Sequence, residues 1–328
     1  MNAGRKQERI YQIAKVARLY HMEGLGQREI SARLNMSMAK ISRLLSEARE
    51  LGIVEIKIND PDERFREFEQ VLEHELGLRE CIVVPTRETT EATYQELSRP
   101  VGEFLSRFAP RATRVGISWG ETLKFVAENL EIDVSFQKLE VVPIIGGIGT
   151  IERGLYSNSV ARVFADRAGG VSYLINAPAI SMSKDVRNSL YKDPRYASFF
   201  ELWEELDIAI TGVSALDPRD SVSLQDGMYT EAELSDLRSR GAVSSMNSCF
   251  FDKSGKELVT PYLDRILNVT SERLRNIEHV IIVAAAAHKM EAILSAARTG
   301  LAHVLITDSE TARCLVQEIQ AYGRRGHE

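Results

Sequence analysis

Between residues 7 and 21 the apolar positions Ile10, Ile13, Ala14, Val16, Ala17 and Leu19 recur at helical spacing, with Tyr11 and Tyr20 beside them. Gly24 and Gly26 interrupt the pattern. A second, short helix is predicted over 27–34, where Ile30 and Leu34 share a face with Ser31 small enough to let a neighbour approach. Asn35-Met36-Ser37 breaks it, because Asn tolerates the left-handed backbone of a tight turn and Ser37 suits the N-cap of a new helix. A third helix over 38–51 carries Ile41, Leu44, Leu45 and Ala48 on one face, and Gly52 ends it. Residues 53–58 then alternate apolar and polar, which predicts a half-exposed strand. Helix, short helix, turn, helix and strand make the order of a winged helix-turn-helix.

Asn59-Asp60-Pro61 breaks the strand and sets a boundary between a head, 1–59, and a body, 60–328. Residues 62–76 form a charged amphipathic helix with Phe65, Phe68, Val71, Leu72 and Leu76 along one side. Such a helix suits either a dimer contact or a strut against the body, and because operator half-sites usually demand a dimer, a contribution to oligomerisation is expected. Short apolar runs at 81–84, 114–118, 139–145, 171–175, 208–212, 280–284 and 304–307 predict buried strands. Helical stretches at 91–108, 121–130, 157–168 and 289–298 lie between them. This alternation is the pattern of an α/β fold whose parallel or mixed sheet is covered on both faces.

The charge distribution changes the picture of the head. The whole chain carries −6, yet residues 1–58 hold 11 Lys and Arg against 6 acidic residues, and the rest hold 30 against 41. A basic head on an acidic body is expected when one domain alone meets a polyanion. No apolar run approaches the roughly 20 residues that cross a bilayer, and the first residues lack a secretion core. A soluble, cytoplasmic protein is expected. Cys81, Cys249 and Cys314 are odd in number and widely spaced, so neither a disulfide framework nor a zinc site is indicated, and no cofactor is expected.

In the helix-turn-helix motif the start of the third helix enters the major groove. Here Ser37, Met38, Ala39, Lys40, Ser42 and Arg43 point outward from that end. Arg43 can pair bidentately with guanine, Met38 or Ala39 can touch a thymine methyl, and Lys40 can reach a base or a phosphate. Arg28, Arg33 and Arg49 suit backbone phosphates. Double-stranded operator DNA is the expected partner, and paired half-sites ask for a homo-oligomer. The same spacing also fits an ordinary three-helix module with a charged surface.

In the body, ligands are expected beyond the carboxyl ends of the strands. Ser118, Trp119, Gly120, Glu121 and Thr122 fall where a strand ends and a helix begins, with free N–H groups for hydroxyls or an anion and an indole that could stack on a ring. A plain strand–turn–helix corner has the same look. Gly146-Gly147-Ile148-Gly149 is too short for a dinucleotide fingerprint. Lys289 follows an apolar strand, as a ligand contact or a solvated surface lysine.

The stretch QREISARLNMSMAKISRLLSEARELGIVEIKI, residues 27–58, resembles the N-terminal domain of the SorC (SorC/DeoR-type) family of sugar-binding bacterial transcriptional regulators. The resemblance extends over most of 60–310. GISWGETL is similar to the family's first ligand loop and VVPIIGGIG to its second, with Asn158 at a usual polar position in the helix after it. LDIAITGVSAL, AVSSMNSCFFDKSGKEL and VIIVAAAAHKMEAILSAARTGLAHVLITD resemble later blocks. The resemblance implies a repressor or activator of a carbohydrate operon. It also implies a sensor domain with the fold of sugar-phosphate isomerases, assembled as a tetramer. The implied effector contacts are Ser118, Trp119, Gly120, Glu121, Thr122, Gly146, Gly147, Asn158 and Lys289, for a sugar, a polyol or a sugar phosphate.

The chain departs from the family pattern in three places: Ala285 and Ala286 stand where glycines are common, Ser245 where an acidic residue is usual, and Glu121 where Arg or Thr is common. A carboxylate at a helix N-terminus competes with phosphate for the same N–H groups, so an uncharged sugar or polyol stands beside the sugar phosphate as a candidate effector. The alternative class is a sugar-phosphate isomerase-like enzyme with an accessory DNA-binding domain. That reading needs a placed acid or base. None of the six histidines falls in the two loops, and Glu121 would have to serve as base.

Overall fold

The computed structural model describes residues 3–55, 65–147, 156–217 and 228–325. The chain divides into two compact units, Met1–Glu63 and Arg64–Glu328.

In the first unit, helices α1 (Ala3–His21), α2 (Gln27–Leu34) and α3 (Met38–Glu50) enclose one small core. Ile13, Val16, Ile30, Ile41 and Ala48 are fully buried in it, with Leu34 and Met36 packed at its margin. Asn35 takes the left-handed conformation at φ 50°, and the Ser37 side chain accepts the Lys40 N–H at 3.3 Å as the N-cap of α3. Ser31 does more than stay small, since its hydroxyl donates to the Met36 carbonyl and pins the turn. The predicted strand at 53–58 is not seen among the described residues. Ile53 and Val54 instead direct their N–H groups back to the Ala48 carbonyl and pack on the core, so their apolar character serves helix termination. Residues 56–58 lie outside the described residues.

The second unit is built on a seven-stranded, all-parallel sheet. In chain order its strands are β1 (Glu80–Val84), β2 (Ala112–Ile117), β3 (Lys138–Pro143), β4 (Val171–Ser172), β5 (Ile208–Thr211), β9 (His279–Val283) and β10 (Val304–Asp308). In space they run β1-β10-β9-β5-β2-β3-β4. The intervening β6 (Ser214–Ala215), β7 (Ser244–Met246) and β8 (Cys249–Phe251) form a separate antiparallel sheet that the sequence patterns did not announce.

Successive residues of one strand enter different cores, which is why the strands read as unbroken apolar runs. Val280, Ile282 and Ala284 join one face with Leu72, Phe200, Trp203 and Leu315. Ile281, Val283 and Ala285 join the other with Tyr94, Phe104, Val126 and Phe164. Helices α4 (Arg66–Leu76), α9 (Lys184–Lys192), α10 (Pro194–Glu204), α13 (Met290–Ala297) and α14 (Ser309–Arg325) belong to the first face. Helices α5 (Thr90–Glu96), α6 (Ser98–Ser106), α7 (Glu121–Glu128) and α8 (Ser157–Ala168) cover the second. The short α11 (Glu231–Ser239) packs in a third cluster with the small sheet, and α12 (Ser271–Leu274) leads into β9. The single helix expected at 91–108 is two, α5 and α6. Leu97 lies between them, and Pro100, which has no N–H to give, sits in the first turn of the second, where none is needed.

Helix α4 packs on its own unit as a strut: Phe68, Val71, Leu72 and Leu76, with Phe65 at its N-cap, pack against the sheet core.

Candidate functional site

The chain leaves β2 for β3 and β4 on one side, then returns to place β5 on the other. The crevice between the carboxyl ends of β2 and β5 is therefore a topological switch point, where open α/β sheets receive ligands. A cleft opens there. Ser118 to Leu123 line it from β2 and the start of α7, and Gly212, Val213 and Ser214 from the end of β5. Ser245, Asn247 and Ser248 of the small sheet and Lys289 beyond β9 complete it.

Each wall has a local cause. Gly120, at φ 114° and ψ 171°, adopts a backbone conformation that a Cβ would strain, and it caps α7 without a side chain. The N–H groups of the first turn, at Glu121, Thr122 and Leu123, thus have no capping side chain at the cleft. Two residues after β5 the chain enters β6, so one turn joins the large sheet to the small one at the cleft. Between β7 and β8 it reverses in two residues, Asn247 at φ 49° and Ser248 at φ 64°, both left-handed as a type I′ hairpin requires.

Asn247 ties these walls together. Its Nδ2 donates to the carbonyls of Ile144 at 3.1 Å and Val269 at 2.9 Å. Its Oδ1 accepts the Ser118 hydroxyl at 3.0 Å, and its own carbonyl accepts Asn268 Nδ2 at 2.6 Å. The ends of β2 and β3 and the small sheet meet at this one buried amide. Trp119 lies partly against the third cluster, with Ile145, Tyr229 and Phe250, and its indole is half-buried beside the cleft. Behind the wall Tyr229 is fully buried. Burial pushes its phenol well above the usual range, with the Ser248 hydroxyl close enough to oppose part of that rise.

Of the residues expected to contact an effector, Ser118, Trp119, Gly120, Glu121, Thr122 and Lys289 line the cleft. Gly146, Gly147 and Asn158 do not. A Cβ on Gly146 would meet the Ala179 backbone at 2.7 Å, so close packing accounts for that glycine, while Gly147 exchanges backbone hydrogen bonds with Ala177 and Ala179. Asn158 spends its amide on the backbone of Ile175, donating to its carbonyl at 2.8 Å and accepting its N–H at 3.1 Å. Ile148 and Gly149 lie outside the described residues. Lys289 stands at the head of a helix, as expected. It closes a 3₁₀ turn, Ala287–Lys289, and caps α13. Sequence reading passed over Gly212, Val213, Ser214, Asn247 and Ser248, and took Ser245 only as a departure. The turn at Asn247-Ser248 lacks the Asn-Gly pair that signals such hairpins.

On the first unit, Arg28, Ser37, Met38, Ala39, Lys40, Ser42 and Arg43 are all exposed. Arg9 bridges α1 to α3 through two hydrogen bonds to Glu47, at 3.1 and 2.6 Å. Lys40 and Arg43 share a shallow groove with Glu8, Arg9, Gln12 and Glu47. Arg33 is paired with Glu23 at 2.9 Å, which leaves Arg28 the less encumbered cation of α2. Among the described residues no cluster of His, Cys, Asp and Glu is arranged to hold a metal, and no helix is long and apolar enough to cross a membrane.

A doubly wound α/β unit with a polar cleft at its switch point, joined to a helix-turn-helix unit, defines a ligand-binding regulator class. The comparisons with known proteins agree. Residues 60–317 match the Sugar-bind family model, described as "Putative sugar-binding domain". The deoxyribonucleoside regulator of Bacillus subtilis (strain 168) is 32% identical over 93% of this chain and 97% of its own. The sorbitol operon regulator of Klebsiella pneumoniae is 29% identical over 93% and 97%. The crystal structure of the full-length sorbitol operon regulator SorC from Klebsiella pneumoniae superposes with a TM-score of 0.72, at 28% identity over 94% of this chain and 98% of that one. The chain belongs to this sugar-binding-domain family of SorC/DeoR-type transcriptional regulators. These relatives are named as regulators rather than enzymes.

Proposed function

We propose that the chain is a cytoplasmic regulator in which residues 1–59 bind operator DNA and residues 60–328 bind a small sugar, polyol or sugar phosphate that alters that binding. The observation that carries the reading is the cleft at the β2–β5 switch point. Serine and threonine hydroxyls, one asparagine, one carboxylate and one ammonium line it, a set suited to a small polyhydroxylated ligand. Ser118, Trp119, Gly120, Glu121, Thr122 and Lys289 are the proposed effector contacts within it, joined by Ser245, Asn247 and Ser248. In the first unit, Arg43 with Ser37, Met38, Ala39, Lys40 and Ser42 is proposed to read bases, and Arg28 to hold phosphate. The protein acts as a homo-oligomer, a dimer or tetramer, because paired half-sites need paired recognition helices. A ligand changes occupancy only by preferring one DNA-binding state over the other.

The test is a titration of purified protein with DNA from upstream of its own gene and neighbouring operon, against random duplex at fixed salt. It is run with and without a panel of sugars, polyols and sugar phosphates. Competitor-resistant binding that one compound shifts is the expected result. Binding no tighter than to random duplex, with every compound, would remove support for a local operator.

A further inference from the structure

The hydrogen-bond direction at Ser118 is fixed by a group that has no choice. Asn247 Nδ2 faces two carbonyls, Ile144 at 3.1 Å and Val269 at 2.9 Å, so the nitrogen must lie on that side and the oxygen on the other. Facing that oxygen, Ser118 can only donate. Its proton is committed, and toward the cleft Ser118 offers lone pairs alone.

Ser248 is the opposite case. It sits at φ 64°, in the hairpin position where glycine is strain-free, yet it carries a side chain that lines the cleft and is only 5% exposed. Behind it the Tyr229 hydroxyl is fully buried and has no hydrogen-bond partner among the described residues. A phenol both gives and accepts hydrogen bonds, so it leaves the Ser248 proton free to turn toward the cleft when a ligand oxygen is there to take it.

We propose that Ser248 and Ser118 form a donor–acceptor pair that selects a neutral hydroxyl of the effector at this end of the cleft. A ligand hydroxyl accepts from Ser248 and donates to Ser118. A phosphate or carboxylate oxygen has no proton for Ser118 and would set its charge against the serine's lone pairs. The inference rests on the reading of the cleft as the effector site, and it adds that a charged group, if the effector has one, lies at another part of the cleft. It also accounts for a serine where the backbone favours glycine: the strained position is occupied by a group with a use.

The experiment measures binding of five- and six-carbon aldoses, ketoses, polyols and their phosphates to the full chain by calorimetry, with thermal melting alongside. It compares wild type with Ser248→Gly and Ser248→Ala. Glycine relieves the strain and raises Tm by roughly 2 °C, while alanine keeps the strain and does not. Both remove the hydroxyl and are expected to weaken the bound compound about tenfold, which is about 1.4 kcal/mol. One monodeoxy analogue of that compound should bind wild type about tenfold more weakly and lose nothing further on Ser248→Ala. Unchanged affinity in both variants, or equal further loss for every deoxy analogue, overturns the inference while leaving the effector cleft intact. A panel in which no compound binds wild type overturns the effector reading, and this inference with it.

Discussion

The carboxylate of Glu73 accepts the backbone N–H of Cys81 at 2.9 Å. One turn earlier on the same helix, Glu69 does the same for Val83, also at 2.9 Å. β1 is an edge strand, paired only with β10, and alternate N–H groups along its outer side would otherwise stand open. The i, i+4 spacing of the helix meets the i, i+2 spacing of the strand, so α4 seals the edge with two charge-assisted hydrogen bonds. Glu73→Ala is expected to cost about 1.5–3 kcal/mol, read as a lower urea midpoint, with more aggregation on heating. An unchanged midpoint would mean water replaces the carboxylate without loss.

Arg43 and Arg28 should fail differently. Arg43→Ala is expected to lose about 1–3 kcal/mol on operator and to relax preference at one base position. Arg28→Ala should weaken operator and random duplex alike and reduce the salt slope by about 1. Equal losses on both duplexes for Arg43→Ala would refute its base-reading role.

Much of this architecture is legible in the sequence alone. The runs at 208–212, 280–284 and 304–307 announce strands buried on both faces, and Asn35-Met36-Ser37 announces the helix-turn-helix turn, because these signals are local and periodic. The small sheet is not legible. Its strands are two or three residues long, too short for any period, and they exist because Asn247 and its neighbours hold them. The cleft is half legible. Ser118 to Thr122 come directly after a strand, whereas Asn247 and Ser248 reach it through pairing that no local pattern records. Gly146 and Asn158 are engaged with backbone, at Ala179 and Ile175, and a local pattern does not separate such packing positions from ligand contacts near strand ends.

At the amino end of the strands, Glu140 is buried among Arg114, Lys138 and Tyr173. Burial alone would raise its carboxyl. Hydrogen bonds from Lys138, Arg114 and Tyr173 outweigh that and hold it at about 2, against an ordinary 4.5. A depressed value stabilises the fold above the ordinary value, and that contribution is lost as pH falls toward 2. Glu140→Gln is expected to cost about 3 kcal/mol at neutral pH. Its urea midpoint should then fall less steeply than wild type between pH 4.5 and 2. Parallel curves would show that the carboxyl titrates elsewhere.

Ala286 sits at φ 99°, ahead of the turn that presents Lys289, and its N–H reaches Asp308 Oδ1 at 3.4 Å. Positive φ strains any residue with a Cβ, so Ala286→Gly should stabilise the chain by about 1 kcal/mol in thermal melting. A lower Tm would show that the methyl is packed rather than merely tolerated.

The order of the strands sets a distance. The cleft lies between β2 and β5, while α4, the first described helix after the first unit, is fastened to β1. From β5 to β1 there are three inter-strand steps, through β9 and β10, or roughly 14 Å at the usual spacing. A bound sugar is too small to touch both places. Any coupling between the cleft and the edge that α4 seals therefore runs through β9, β10 and the layers packed on them rather than by direct contact with the ligand.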